Sequence, residues 1–456
     1  MSLSQIPQTI FKCEPFVCAL KGNQKSIRCD HCFKSLETQQ SVMCDTCLKY
    51  WYCSDSCLNS HAVVHRFECH ANYDLAEVIA KKCSAPVVRD ESDWCKFSDL
   101  DEMVTQTLLL LRILFRLKSE PSCATKAHPM GNGLSVSYDQ IRAPVCQQMH
   151  KVWDDEDICD TDNGLNIKTI DEVSYNFGAW LSVVRDVLHA EFIETNLGTV
   201  SEADLLKAFR VVVRYTLYVS DTTCLNEIGK AIYIEMCFIS HSCVPNCGPL
   251  FDGDNVLNLR LLVNGVTDWS ELRYDYQIEM TGYPAQELSE SLVMRDIECN
   301  CLKCVDVSQH SVNLHKAVTT ANLKYGNWPA FDYCHAMIAP IDDALDSFAK
   351  IYGKYHPWIS ALLLWKLKVE CSLYNCEENE DITKQQIFTT FRRLKDTLSV
   401  THGPDHVWSH KLKSIDNSFE HFMVTDTDSV DSDDLLTIDS TIEQIIPRTV
   451  IEQKLA

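Results

Sequence analysis

This chain of 456 residues has no apolar run long enough to span a membrane. The nearest candidate, Met103 to Leu117, is broken by Arg112 and Arg116 and reads instead as a buried helix. The N-terminus, MSLSQIPQTIFKC, lacks the basic-then-apolar plan of a secretory leader, so an intracellular protein is expected. A basic footprint is missing too: 41 Lys and Arg face 64 Asp and Glu, for a net charge of −23. That balance argues against direct nucleic-acid binding. The acid gathers at Asp154 to Asp162, at Glu377 to Asp381 and after Thr425, where it either keeps the chain soluble or steers basic protein segments.

What the chain has in excess is cysteine, 24 in all. Many fall in C-x-x-C or C-x-C pairs, a pattern that favours metal thiolates over disulfides in a reducing compartment. Scattered cysteines outside such pairs read as small buried hydrophobes. A hydrophobic content of 46% with 23% charged residues is that of a soluble globular chain, long enough for two or three domains.

Residues 11 to 20, FKCEPFVCAL, read as a strand with a turn at Glu14-Pro15. Apolar spacings of three and four predict helices over 99 to 118 and 171 to 194, and over 202 to 213 after Ser201 as N-cap. The intervening 119 to 165 is rich in Pro, Gly, Ser and acid and reads as an irregular insertion. Short strands are expected at Arg214 to Val219, Ala231 to Ile239, Val256 to Val263 and Glu271 to Glu279. Beyond residue 306 the pattern is helical, with a weak repeat. Gly353, His356 and Trp358 return as Gly403, His406 and Trp408 at an offset of 50, each glycine placed as the C′ residue of a helix. Residues 425 to 456 read as an acidic disordered tail.

Between residues 29 and 69 eight candidate ligands fall in four pairs: Cys29-x2-Cys32, Cys44-x2-Cys47, Cys53-x3-Cys57 and His65-x3-Cys69. Zinc takes four N or S ligands in a tetrahedron, so eight imply two ions in closed, structural sites. The one-turn spacing of His65 and Cys69 favours His65 over His61 as the nitrogen ligand; His31 and His70 read as surface residues. With Tyr52-Cys53-Ser54 and His65-Arg66-Phe67-Glu68-Cys69, this segment resembles the MYND zinc finger. The resemblance implies that the first and third pairs share one ion and the second and fourth the other. It also implies a protein-interaction module, with proline-rich peptides as partners.

A second constellation comprises Ser240-His241-Ser242-Cys243-Val244-Pro245-Asn246 and, later, Cys299-x-Cys301-x2-Cys304. Three thiolates leave a tetrahedral site one ligand short; Cys243 fits best, with Cys247 as the alternative. These motifs resemble the SET domain of protein lysine methyltransferases and its post-SET zinc site. Their order around the finger resembles the plan of the SMYD family over about residues 10 to 420.

The resemblance implies an α+β fold: a β-rich SET domain with an inserted MYND finger and a helical insertion, a post-SET zinc site and a C-terminal helical-repeat domain of TPR type. Its boundaries would be 1–28 for the N-terminal SET portion, 29–69 for the finger, 70–213 for linker and insertion, 214–280 for the SET core, 281–305 for the post-SET segment and 306–424 for the helical domain. It implies S-adenosylmethionine as cofactor, three structural zinc ions, methyl transfer to lysines of histone or non-histone proteins, and a monomer resident in nucleus and cytoplasm. Aligning Glu271-Leu272 with the family's turn selects Tyr276 as the catalytic tyrosine, with Tyr274 second. Ser240, His241 and Thr216 fall at cofactor-contacting positions. The chain departs from the family in lacking a G-x-G element before Phe11, so it is expected to be truncated or to have a partial cofactor site. Ser240 and Thr216 stand where asparagines are usual, and Ile297 where an aromatic is. An adaptor without catalysis, acting in transcriptional regulation, is the competing expectation.

Overall fold

The proline in the Glu14–Phe16 turn cannot donate to a ladder, and it divides the first stretch into two strands, Thr9–Cys13 (β1) and Val17–Leu20 (β2). The computed structural model describes residues 8–37, 41–70, 74–84, 100–130, 133–141, 177–222, 227–276, 292, 295, 297, 299, 331–374, 382–424, 437–438 and 440–441. The finger follows with two short strands, Val42–Met43 (β3) and Trp51–Tyr52 (β4), and one helix, Asp55–His65 (α1). Next come helices Leu75–Ser84 (α2) and Leu100–Ser119 (α3). In α3 Asp101 and Glu102 occupy the first turn and Arg116 and Lys118 the last, the charge order the helix dipole favours. Its middle, Leu108 to Phe115, is buried throughout, Arg112 included, as the broken apolar run predicts.

The stretch expected to be irregular after residue 119 holds a small hairpin, His128–Pro129 (β5) with Ser135–Val136 (β6). It buries Met130, Val136, Tyr138 and Ile141 against the main core; residues 142 to 165 lie outside the described residues. The single helix expected over 171 to 194 is two, Phe177–Leu188 (α4) and Glu191–Leu197 (α5), because Ala190 turns extended (φ −62°, ψ 129°). Glu202–Tyr215 (α6) starts where Ser201 accepts a hydrogen bond from the Asp204 N–H, the cap read from sequence.

Then come Leu217–Ser220 (β7), Glu227–Ile232 (β8), Ser240–His241 (β9), Cys247–Leu250 (β10), Leu257–Leu261 (β11) and Arg273–Tyr274 (β12). Two three-stranded antiparallel sheets form, in the orders β1-β11-β10 and β2-β8-β7. The strand expected from Ala231 to Ile239 in fact begins at Glu227 and ends at Ile232, giving way to a tight turn at Glu235–Phe238. Glycine ordinarily weakens a strand, but Gly229 is required in this one. A Cβ there would sit 2.5 Å from the Ala19 carbonyl and 2.7 Å from the Phe33 ring. The strand expected at Arg214 begins only at Leu217, because α6 runs on to Tyr215. Of the stretch expected from Glu271 to Glu279, Arg273 and Tyr274 form a strand, and residues 277–279 lie outside the described residues.

The helical part comprises Phe331–Tyr352 (α7), Pro357–Tyr374 (α8), Lys384–Thr401 (α9), Val407–Ser414 (α10) and Asp416–Val424 (α11) around a second core. The repeat seen in sequence has a structural basis. Gly353 and Gly403 take φ +76° and +84° after α7 and α9. His356 and His406 each accept, through Nδ1, the backbone N–H two residues on (3.3 and 3.2 Å), starting α8 and α10. Arg260 of β11 donates to the Val400 and Ser399 carbonyls at the end of α9, at 2.9 and 3.2 Å, fixing this unit to the sheet. Within the stretch expected to be a disordered tail, residues 437, 438, 440 and 441 are helical, and Ile438 is buried in the helical core.

Candidate metal centres and the site around Tyr276

Zinc–sulfur bonds of about 2.3 Å at tetrahedral angles put neighbouring sulfurs about 3.8 Å apart, and a histidine nitrogen about 3.5 Å from each sulfur. Two groups in the finger meet that measure. In the first, Cys32 Sγ lies 3.6 Å from Cys53 Sγ, which lies 3.5 Å from Cys57 Sγ, and Cys29 completes the four. In the second, Cys44 Sγ lies 3.6 Å from Cys69 Sγ, and His65 Nε2 lies 3.4 Å from Cys44 and 3.6 Å from Cys47. One donor set is all cysteine and the other is cysteine with a single histidine, both of the kind that closed structural zinc requires. The pairs interleave, first with third and second with fourth. His61 is held apart by the Tyr52 hydroxyl at 3.0 Å from its Nδ1.

Local backbone explains the grip. Each C-x-x-C pair makes a knuckle in which the residue after the second cysteine donates back to the first cysteine's carbonyl: Phe33 to Cys29 at 2.9 Å and Leu48 to Cys44 at 3.0 Å. Both residues take the left-handed conformation, φ +66° and +56°. The C-x3-C and H-x3-C pairs do not lie within one helix. Cys53 precedes α1 and Cys69 follows it, so these pairs straddle its two ends.

Arg112 and Asn255 tie the finger to the rest. Arg112 of α3 makes a fork to Glu68, Nε to Oε1 at 2.7 Å and Nη2 to Oε2 at 2.9 Å. The Tyr50 hydroxyl donates to the same carboxylate at 2.6 Å, and Arg112 Nη1 donates to the Cys18 carbonyl at 2.6 Å. Burial pushes the Glu68 carboxyl up, but the Arg112 guanidinium outweighs it and leaves the group below its ordinary value. Asn255 donates to the His31 carbonyl at 2.7 Å, and its N–H to the Cys32 carbonyl at 3.0 Å. Sequence reasoning missed Glu68, Tyr50 and Asn255. The available signal was Arg112 itself, a cation inside an apolar helix that has to meet an anion.

A third group contains His241, Cys243 and Cys299, with Cys243 Sγ 3.7 Å from Cys299 Sγ. Of the two cysteines weighed as partner to the later thiolates, Cys243 is the one beside Cys299. The Cys247 thiol instead donates to the Arg273 carbonyl at 3.2 Å. Cys301 and Cys304 lie outside the described residues.

Around this group β9 and β12 pair in parallel, Ser240 with Arg273 and His241 with Tyr274. Tyr276 is 4% exposed; its hydroxyl donates to the Ile239 carbonyl at 2.5 Å, and its ring lies 6.4 Å from that of Tyr215 and 4.5 Å from that of Tyr274. Burial first, then Tyr215 and Cys237, pushes its hydroxyl up, so it keeps its proton at neutral pH. Tyr274 is deeper still, and its carbonyl accepts from the Ser242 N–H at 3.0 Å. Thr216 ends α6 and donates its hydroxyl to the Val212 carbonyl at 2.6 Å. Ser240 is exposed. Ile297 packs partly buried against the main core.

Comparison with curated proteins finds no match. A family profile does match part of the chain: residues 29–69 align with the MYND finger, a module that mediates protein–protein interaction. With eight ligands in two interleaved tetrahedral groups, residues 29–69 are a MYND zinc finger.

Proposed function

We propose that this protein is an S-adenosylmethionine-dependent methyltransferase acting on lysine side chains of histone or other proteins, in nucleus and cytoplasm, with the finger and helical unit holding protein partners. One observation carries the reading. The parallel β9–β12 pair brings Ser240-His241-Ser242-Cys243, the segment resembling the SET signature, against Tyr276, the tyrosine that the resemblance selects.

The chemistry is a matter of position and dryness. A lysine ammonium, with a pKa of about 10.4, has to lose its proton before attack. Buried walls such as Tyr274, Tyr276 and Tyr215 disfavour the charged form and lower that pKa. The Tyr276 hydroxyl, anchored by donation to Ile239, keeps lone pairs with which to orient an amine. The cofactor, when bound, supplies an electrophilic methyl group. Ser240, whose side chain is exposed, fits as one of its contacts, whereas Thr216, 4% exposed and donating its hydroxyl to the Val212 carbonyl, does not. The His241 ring faces Cys243 and Tyr276 and leaves only its backbone for that role.

The adaptor reading is favoured by a different observation: the hydroxyls of Tyr276 and Thr216 are both engaged inside the protein. Calorimetry separates the two. A dissociation constant for the cofactor or its demethylated product of about micromolar supports the enzyme. No heat even at about 1 mM ligand leaves the adaptor.

A further inference from the structure

We infer that the turn between β10 and β11, Asp252 to Asn255, is a joint through which the zinc finger and the helical unit stabilise each other. One end of the turn holds the first cysteine knuckle of the finger, and the other holds the start of α10. The inference rests on the zinc of the finger and does not depend on methyl transfer.

Asn255 makes the finger side and is 4% exposed. Its N–H donates to the Cys32 carbonyl at 3.0 Å, and its side-chain amide to the His31 carbonyl at 2.7 Å and the Cys18 sulfur at 3.2 Å. Both carbonyls belong to the Cys29-x2-Cys32 knuckle, whose two thiolates a bound ion draws into one tetrahedron. Arg28, immediately before the knuckle, donates to the Gly253 carbonyl at 3.5 Å. Hydrogen-bonded neighbours steady metal ligands, and the ligands steady them in return. A loaded knuckle therefore offers Asn255 two fixed acceptors, and an empty one does not.

Asp252 makes the helical side. Its Oδ1 accepts the Val407 N–H at 3.4 Å and stands 3.6 Å from His406 Nε2. Val407 is the first residue of α10. The carboxylate thus meets an amide that has no partner within the helix, at the end the helix dipole makes positive.

The turn itself is held from several directions. Asp254 Oδ1 accepts the Val256 N–H at 3.0 Å, and the Tyr233 hydroxyl donates to the Asn255 carbonyl at 2.7 Å. Gly253 takes φ +81°, and a Cβ there would sit 3.0 Å from Thr222 Cγ2. A displacement at Asn255 reaches Asp252 three residues away with little slack to absorb it. Arg260 fixes the helical unit to the sheet separately, so weakening the joint loosens α10 without releasing the unit. Coupling between two sites is reciprocal: a protein that orders the finger would tighten α10, and one that orders α10 would tighten the finger.

The test uses full-length, zinc-loaded wild type, Asn255→Ala, Asp252→Ala and the double variant. Amide hydrogen exchange is read over α10, with α8 as reference. Zinc at the first site is read as protection of Cys32 from alkylation against a competing chelator. Asn255→Ala is expected to speed exchange over α10 by about fivefold with α8 unchanged, the low end for coupled sites. Asp252→Ala is expected to expose Cys32 at about fivefold less chelator. The double variant should exchange over α10 no faster than Asp252→Ala alone, because the route is already cut. The Asp252 side chain is 40% exposed, so Asp252→Ala is expected to fold, and its zinc readout decides the matter if Asn255→Ala does not. Unchanged α10 exchange in folded Asn255→Ala, equal acceleration over α8 and α10, or additive effects on α10 in the double variant would overturn the inference. So would unchanged protection of Cys32 in Asp252→Ala.

Discussion

Replacing Arg112 by methionine tests what holds the finger to the protein. The substitution keeps length and apolar stem and removes the fork to Glu68, whose side chain is 0% exposed, while that of Arg112 is 2% exposed. The carboxylate would keep one partner, the Tyr50 hydroxyl, in a site that water does not reach. Breaking a buried, forked ion pair from one side costs about 3–5 kcal/mol, chiefly because a charge is left without compensation. Domains of this kind are stable by only about 5–15 kcal/mol, so the loss is large. Adding Glu68→Gln to Arg112→Met removes the stranded charge and should recover more than half of it, since neutral replacements of buried pairs are often well tolerated. The assay is urea unfolding of zinc-saturated protein, followed by tyrosine and tryptophan fluorescence. Glu68 immediately precedes the ligand Cys69, so zinc release from the Cys44, Cys47, His65, Cys69 site should accelerate before release from the other site. An Arg112→Met protein within about 1 kcal/mol of wild type, or a double variant no better than the single, would show that the fork does not hold the finger in place.

Two further outcomes follow from local geometry. Leu48 is 59% exposed at φ +56°, whereas Phe33 is fully buried at φ +66°. Leu48→Gly should therefore hold or raise the thermal midpoint by relieving about 1 kcal/mol of strain, while Phe33→Gly should lose about 3 kcal/mol from a vacated core site. Burial pushes His406 down to about 4, against the pull of Asp252, with Arg260 and His410 also facing it. The unfolded chain protonates near the ordinary 6.5, so this stabilisation is full above that pH and is lost as pH falls towards 4, by about 3 kcal/mol at most. His406→Asn keeps a good N-cap without the titration and should flatten the urea midpoint between pH 7 and 5. An unchanged slope would exclude His406 as the source.

How far the sequence could be read depended on the range of the interaction. The zinc ligands declared themselves because each pair is set by spacing within a few residues. The same holds for the Ser201 cap and for the glycines after α7 and α9, whose positive φ only glycine takes easily. Spacing alone did not fix which pairs share an ion; that came from resemblance, and the two interleaved groups agree with it. Strand limits failed where the deciding partner is remote. Gly229 belongs in a strand because Ala19 and Phe33 press on it from far back in the chain. The β5–β6 hairpin was hidden by turn-rich composition, although Tyr138 stacks on Phe16 at 5.0 Å. The parallel β9–β12 pairing, which brings His241 to Tyr276, joins segments more than thirty residues apart and leaves no local signal.

The most direct test of the proposed activity is transfer of a labelled methyl group from S-adenosylmethionine to histones and to a protein lysate, by full-length wild type and Tyr276→Phe. Label is expected on lysine with wild type, and about a hundredfold less with Tyr276→Phe at unchanged cofactor affinity, because only the orienting hydroxyl is lost. Equal label from the two proteins would contradict the role given to Tyr276, and no label from wild type on any protein would contradict the activity itself.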